Sequence, residues 1–148
     1  EEVLSLEDED VKYSILVADD SSVARNQIQR CMEELGIHVV SFSDGKQALD
    51  FLKAMVQEGR VPSEEFLMVI SDVEMPVMDG YTLATEIRFD DTLKDLYVVL
   101  HTSLSGVFNE ALVKKVGANK FIAKFQPNVL AKTVEDRIEA ATERRRAS

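Results

Sequence analysis

Cysteine is almost absent from this sequence, in which Cys31 is the only one. A single cysteine cannot form a disulfide within the chain, so nothing indicates an oxidising compartment, and we expect the protein to be cytoplasmic. Long apolar runs are absent as well, since none approaches the roughly 18 residues of a membrane-spanning helix. The acidic residues 1–10 also lack the pattern of a signal peptide. We therefore expect neither membrane insertion nor secretion.

Positive charge is scarce too. The chain has 17 lysines and arginines against 27 aspartates and glutamates, which gives a formal net charge of −10. The basic residues are clustered only in the three arginines at 144–146. Because such a chain would be repelled by a phosphate backbone, we expect no direct contact with nucleic acid.

The composition is otherwise that of one globular domain. The 148 residues are 45% hydrophobic and 30% charged, which is too apolar for a disordered chain. Acidic residues dominate residues 1–12, which we interpret as a linker or a cut end. We expect a folded domain over residues 13–140 and a flexible tail over residues 141–148.

Short apolar runs alternate with amphipathic segments along most of the chain. The runs lie at 15–18, 39–42, 66–70, 96–100 and 121–123. Most of them are continuous, which is typical of parallel strands that are covered on both faces. The segments between them place apolar residues at helical spacing. Five such units predict an α/β fold with a single doubly wound parallel sheet of five strands and five helices.

Polar residues that could share one site follow four of these strands. Asp19 and Asp20 end the first strand, Asp72 the third, Thr102 the fourth and Lys124 the fifth. Doubly wound sheets bind ligands at the carboxyl ends of their strands. Two carboxylates 4 Å apart repel by about 4 kcal/mol at an effective dielectric near 20, so this group needs a compensating cation. Mg²⁺ is favoured because it accepts carboxylates and waters and leaves positions for phosphate oxygens.

Each of these residues also has a structural alternative. Asp20 or Ser21 could serve only as the N-cap of the first helix, and Asp72 could be a turn residue. Lys124 could be one more solvated lysine. The joint occurrence of acids, a hydroxyl and an ammonium at one sheet edge favours a shared site.

The residues from Asp72 to Gly80 carry the most specific pattern of the chain. Their sequence, DVEMPVMDG, resembles the phosphoacceptor loop of response-regulator receiver domains. Together with the acidic pair at 19–20, Thr102 and Lys124, the resemblance extends over residues 13 to about 138. It implies a flavodoxin-like, CheY-like fold with strand order 2-1-3-4-5. Segments around Thr102 and Lys124 are similar to the receiver of CheV-type chemotaxis coupling proteins.

The resemblance implies a role for each residue of this edge. Asp72 would take a phosphoryl group from a phosphohistidine on a CheA-like histidine kinase. Asp19 and Asp20 would hold Mg²⁺ together with Asp72 and the backbone carbonyl of Glu74. Lys124 would pair with a phosphoryl oxygen. Such a protein assists its own phosphorylation and dephosphorylation and is not an enzyme with a separate substrate.

The same resemblance implies a conformational switch. Thr102 would turn its hydroxyl toward the phosphoryl group, and Phe121 stands where receivers carry a switch aromatic, with an ordinary core phenylalanine as the alternative. Receivers usually follow the lysine with proline, whereas Lys124 precedes Phe125 here. We expect Glu74 to project over the site and to alter the lifetime of the acyl phosphate.

The CheV-type assignment implies further partners. A CheW-like coupling domain would precede Glu1 and would connect the receiver to the chemoreceptor array, for adaptation or for competition over kinase phosphoryl groups. Three alternatives stay open: a stand-alone receiver or phosphate sink, a pseudo-receiver that is not phosphorylated, and a phosphohydrolase of small phosphate esters. The last is disfavoured because Glu74 stands where such enzymes usually carry an acid–base aspartate.

Overall fold

The sheet is parallel and has five strands. The computed structural model describes residues 12–106, 108–124 and 126–147. Within them the strands are β1 Ser14–Ala18, β2 His38–Phe42, β3 Phe66–Asp72, β4 Val98–Thr102 and β5 Lys120–Ala123. Their order is β2-β1-β3-β4-β5, and every pair is parallel. This confirms the doubly wound sheet that the sequence pattern predicts and the strand order that the family resemblance implies.

In the part of the chain that the structure describes, six helices connect and cover these strands. They are α1 Ser22–Glu34, α2 Gly45–Gln57, α3 Pro62–Glu65, α4 Gly80–Phe89, α5 Glu110–Lys115 and α6 Pro127–Ala147. The sequence predicts five helices, and the additional one is the single turn α3. Pro62 begins this turn because its fixed φ suits the first helical position, where an N–H is not needed. None of the helices in the described part is both long and apolar enough to span a membrane.

The two ends of the chain relate differently to the expected domain bounds. Helix α6 continues through Ala147, so residues 141–147 are helical where we expected a flexible tail. Residues 1–11, most of the expected acidic linker, lie outside the described residues. The bounds of the 13–140 domain stay a prediction.

The core lies on both faces of the sheet. All seven residues of β3 are buried. On one face Leu16 and Val69 pack with apolar residues of α2 and α4. On the other face Ile15 and Ile70 pack with apolar residues of α1 and α6. The central strands are therefore covered twice, which explains why their sequences are continuously apolar.

Helix caps fix where the chain leaves the carboxyl edge of the sheet. The Ser21 hydroxyl accepts a hydrogen bond from the Ala24 N–H and caps α1. The Asp79 carboxylate accepts one from the Thr82 N–H and caps α4. Because Ser21 is the N-cap of α1, the capping role that the sequence left open for Asp20 belongs to its neighbour.

Candidate functional site

Three carboxylates meet at the carboxyl edge of the sheet. One oxygen from each of Asp19, Asp20 and Asp72 lies within 4.8 Å of the others. Asp19 and Asp72 are buried, whereas Asp20 is exposed. The structure thus brings together the three aspartates that the sequence singled out, in an arrangement that can hold a divalent cation from the solvent side.

Lys124 joins this group from β5. Its Nζ lies 3.2 Å from Asp19 Oδ2 and 3.2 Å from Asp72 Oδ2. Burial opposes the charge of the ammonium, but the two carboxylates together hold the pKa of Lys124 above its usual value. The non-proline residue after Lys124 therefore does not displace the lysine from the site. Phe125 itself lies outside the described residues.

The Asp72 carboxyl group is electrostatically unusual. Burial, and then the negative charge of Asp19, raise its pKa to about 6, although Lys124 acts in the opposite direction. One lysine thus offsets only part of the repulsion among the three carboxylates. A site of this kind gains free energy by binding a further cation.

The backbone around Asp72 is held from two sides. The Ser71 hydroxyl donates to the Asp72 carbonyl at 2.9 Å, and the Gly80 N–H donates to the Val73 carbonyl at 2.9 Å. A Cβ atom at Gly80 would clash with the Asp72 carbonyl oxygen. The sequence gave no sign that this glycine lies against the backbone of Asp72.

Thr102 ends β4 beside this group and is buried. Its Oγ1 accepts a hydrogen bond of 3.0 Å from the Leu104 N–H. The Lys124 N–H donates to the Thr102 carbonyl at 2.7 Å, so the ends of β4 and β5 are tied together. The Thr102 hydroxyl is thus close to the site but bonded within its own loop.

Phe121 is half-buried and packs against a small apolar cluster, which fits an ordinary core phenylalanine as well as a switch aromatic. Its ring lies 5.1 Å from the ring of Phe108, at an angle of 54°. Both rings pack against buried Val73, Leu100 and Val113. This small third cluster lies beside the segment that follows Asp72 and contacts α5. Its role as a switch stays a prediction.

Glu74 is exposed and lies two residues after Asp72. Its Oε2 lies 3.4 Å from the position that a Cβ atom would take at Gly106, in the loop after β4. The side chain therefore extends from the loop after β3 toward the loop after β4, and its projection over the site stays a prediction. The ligand role of the Glu74 carbonyl stays a prediction.

His101 is a site neighbour that sequence reasoning missed. It is buried, and the strand register pairs it with Asp72 on one side and with Ile122 on the other. Burial, and then the charge of Lys124, lower its pKa to about 4. Among the described residues its Nδ1 has no hydrogen-bond partner. A neutral imidazole thus lies beside the acidic group. The only sequence signal for this neighbour was that His101 directly precedes Thr102.

Known proteins share this architecture and much of the sequence. Residues 15–135 match the response regulator receiver domain. A chemotaxis protein CheY homolog of Campylobacter jejuni is 31% identical over 124 residues, which cover 82% of this chain and 89% of that protein. Chemotaxis protein CheV1 of Helicobacter pylori is 26% identical over 127 residues, which cover 86% of this chain.

Two of the relatives are much longer than this chain. The chain spans 38% of the length of CheV1. It spans 10% of the sensor histidine kinase CheAY of the same bacterium, to which it is 36% identical over 91 residues, or 62% of this chain. In both proteins the similarity is therefore confined to one part of a larger chain.

Solved structures agree with the fold. Chemotaxis protein CheY4 of Vibrio cholerae superposes with a TM-score of 0.69 at 29% identity, covering 85% of this chain and 98% of that chain. A receiver domain of a sensor histidine kinase from Pseudomonas aeruginosa, described with a magnesium ion in its active site cleft, gives a TM-score of 0.70 at 23% identity and covers 87% of this chain and 99% of that chain. With the family match over most of the chain, the protein belongs to the response regulator receiver domains.

Proposed function

We propose that this receiver domain accepts a phosphoryl group on Asp72 from a phosphohistidine of a sensor histidine kinase. The observation that carries the proposal is the position of the Asp72 carboxylate, 3.2 Å from the Lys124 ammonium and beside the carboxylates of Asp19 and Asp20. A nucleophilic oxygen, a cation for the transferred group and ligands for a metal are thus present together.

The bonds that form and break in the transfer belong to Asp72 and the donor, and Mg²⁺ assists as the cofactor that we expect. One Asp72 oxygen attacks the phosphorus of the phosphohistidine, an O–P bond forms, and the P–N bond breaks with its electron pair left on the imidazole nitrogen. The carboxylate must be ionised to attack, and a pKa of about 6 leaves most of it ionised at neutral pH. Hydrolysis follows when water attacks the phosphorus and the Asp72 carboxylate leaves.

The residues present fit Mg²⁺. Asp19, Asp20 and Asp72 supply hard oxygen ligands that lie within 4.8 Å of one another, and we expect the backbone carbonyl of Glu74 to complete the set. When bound, Mg²⁺ screens the carboxylates and stabilises negative charge on the phosphoryl oxygens. Lys124 is then free to pair with a phosphoryl oxygen, because the metal takes over part of its charge compensation.

Thr102 couples the phosphoryl group to the loop after β4. Its Oγ1 accepts a hydrogen bond from the Leu104 N–H, and a rotation of the side chain that moves Oγ1 toward the phosphoryl group would break this bond. The loop therefore changes when the threonine turns, and the neighbouring rings of Phe108 and Phe121 repack with it. Phosphorylation would shift the equilibrium between two packings of this small region.

The most specific role we propose is that of the receiver of a CheV-type chemotaxis coupling protein. The similarity to CheV1 over 86% of this chain supports it. In this role a CheW-like domain connects the receiver to the chemoreceptor array, a CheA-like kinase donates the phosphoryl group, and the protein acts in the cytoplasm. A stand-alone receiver is the second candidate, because the chain spans 89% of a CheY homolog.

Intact mass after incubation with acetyl phosphate tests the chemistry. We expect the wild type to gain the mass of one phosphoryl group in a Mg²⁺-dependent manner, and Asp72→Asn to gain none. Asp79→Asn is the matched control, because Asp79 caps α4 and asparagine caps equally well. If the wild type forms no adduct and does not bind beryllofluoride, the pseudo-receiver alternative is correct. Steady hydrolysis of phosphate esters would favour the phosphohydrolase.

A further inference from the structure

Tyr81 holds both main-chain polar groups of Asn109 with one hydroxyl. The Asn109 N–H donates to Tyr81 Oη at 2.7 Å, and Tyr81 Oη donates to the Asn109 carbonyl at 3.3 Å. The two residues belong to different elements: Tyr81 is the second residue of α4, and Asn109 immediately precedes α5. One side chain thus fixes the backbone of a residue 28 positions away.

Asn109 is the residue that starts α5. Its Oδ1 accepts a hydrogen bond of 3.0 Å from the Ala111 N–H and caps the helix. The helix itself has six residues, of which Val113 is the buried one. Because α5 has little burial of its own, the position of its first turn depends strongly on what holds Asn109.

Tyr81 is in turn fixed to the segment that carries Asp72. It follows Gly80, whose N–H donates to the Val73 carbonyl and whose Cα lies against the Asp72 carbonyl. The Tyr81 ring packs against Val73 in the third apolar cluster, with Phe108 and Phe121 as neighbours. The Tyr81–Asn109 pair therefore connects the phosphoacceptor segment to α5 without passing through Thr102.

The loop between β4 and α5 is consequently bonded near both of its ends. Near its start the Leu104 N–H donates to Thr102 Oγ1, and at its end Asn109 is bonded to Tyr81. We expect the loop to move with Thr102 when the threonine side chain rotates toward a phosphoryl group, and such a movement strains the bond at Asn109. The second bond thus opposes the movement that phosphorylation requires.

We propose that Tyr81 is a positioning residue that stabilises the unphosphorylated conformation through its hydroxyl and so lowers the affinity of the site for a phosphoryl group. The inference rests on the proposed phosphorylation of Asp72. A bond that exists in only one of two conformations shifts their equilibrium by its own net contribution. The usual contribution of one such hydrogen bond corresponds to a shift of about fivefold.

The test compares Tyr81→Phe with the wild type for binding of beryllofluoride in the presence of Mg²⁺, followed by calorimetry. We expect the variant, which keeps the ring and loses only the hydroxyl, to bind about fivefold more tightly. Tyr13→Phe is the matched control, because its hydroxyl is bonded to Thr142 Oγ1 and Arg145 at the other end of β1. We expect its affinity to equal that of the wild type.

Amide hydrogen exchange gives a second readout. In Tyr81→Phe without beryllofluoride, residues 109–115 should exchange faster than in the wild type, and with beryllofluoride the two proteins should exchange alike. An unchanged or weaker affinity of Tyr81→Phe overturns the inference and leaves phosphorylation intact. If the wild type itself binds no beryllofluoride and forms no acyl phosphate, the proposed phosphorylation of Asp72 is wrong, and the inference about Tyr81 is overturned with it.

Discussion

The ammonium group of Lys124 lies 3.2 Å from the carboxylate of Asp72, although their strands are not neighbours. Strand β4 runs between β3 and β5, so the lysine side chain reaches across it. The same Nζ is 3.2 Å from Asp19 on β1. One cation thus links three strands at the edge where the phosphoryl group would bind, and its removal should affect both the charge balance and the chemistry.

Replacing Lys124 with methionine should raise the pKa of Asp72 above its value of about 6, because Lys124 is the group that holds it down. We expect the variant to need a higher pH for phosphorylation by acetyl phosphate. A titration of the Asp72 carboxyl carbon by NMR without metal measures the pKa. Lys46→Met, at an exposed lysine paired with Asp50, is the control and should leave it unchanged. An unaltered titration in Lys124→Met would contradict the assigned electrostatics.

Asp72→Asn should stabilise the metal-free protein at neutral pH. The pKa of Asp72 is about 6 in the folded state and about 3.9 in the unfolded state, so between these values the folded state binds more protons. The free energy of unfolding therefore falls as pH rises from about 4 to 6. Above about pH 6 the ionisation of Asp72 lowers it no further. We expect the variant to gain about 1–2 kcal/mol at pH 7.5 and nothing near pH 4.

Urea unfolding in EDTA at both pH values measures this difference. Asp50→Asn, at an exposed aspartate of α2, should show no comparable change with pH. If Asp72→Asn is less stable than the wild type at pH 7.5, the prediction is wrong. The attraction between Asp72 and Lys124 would then stabilise the folded state more than the burial of the Asp72 charge destabilises it.

Glu74→Asn should change the rate at which the acyl phosphate hydrolyses. The exposed Glu74 carboxylate, two residues past Asp72 in sequence, lies near Gly106, and we expect it to order or exclude the attacking water. Loss of the adduct, followed by intact mass after the phosphodonor is removed, measures the lifetime. Glu86→Gln, at an exposed position of α4, is the control. The prediction fails if the lifetimes of Glu74→Asn and wild type agree.

Gly80→Ala should destabilise the protein more than Gly36→Ala. A methyl group at Gly80 would meet the Asp72 carbonyl and come within 3.1 Å of Ser71 Oγ. Gly36 has a φ of 71° but open space around it, so alanine there costs only backbone strain of about 1–2 kcal/mol. Overpacking at Gly80 should cost about 3 kcal/mol and should also impair phosphorylation, because Asp72 must shift. Thermal unfolding of both variants and their acetyl phosphate adducts provide the comparison.

The sequence predicted the sheet and the grouping of its polar ends because both depend on local pattern. Asp19 and Lys124 directly follow apolar runs, Asp72 follows one after a single intervening serine, and parallel strands place such positions at one edge. The contact between Tyr81 and Asn109 could not be predicted, since it depends on how two helices begin after different strands. The same holds for His101, whose position beside Asp72 follows from strand register.

Element bounds were harder to predict for a related reason. The single turn of α3 depends on Pro62 together with the approach of β3, and a four-residue segment carries no periodicity. Helix α6 extends past residue 140, where the Tyr13 hydroxyl is hydrogen-bonded to Thr142 Oγ1 and accepts a hydrogen bond from Arg145. These bonds help to hold the end of the helix against the domain. Cys31 is half-buried, and its Sγ lies 4.0 Å from the Pro127 carbonyl oxygen at the start of α6.

Helix α5 has a length at which helices do not persist by themselves. Its six residues are well below the roughly 12 to 15 that an isolated helix needs for even marginal stability in water. Its helical state is thus a property of its surroundings, above all of the cap at Asn109 and the apolar cluster beneath Val113. A protein that binds this helix would respond to folding or fraying of a segment rather than to the shift of a rigid rod.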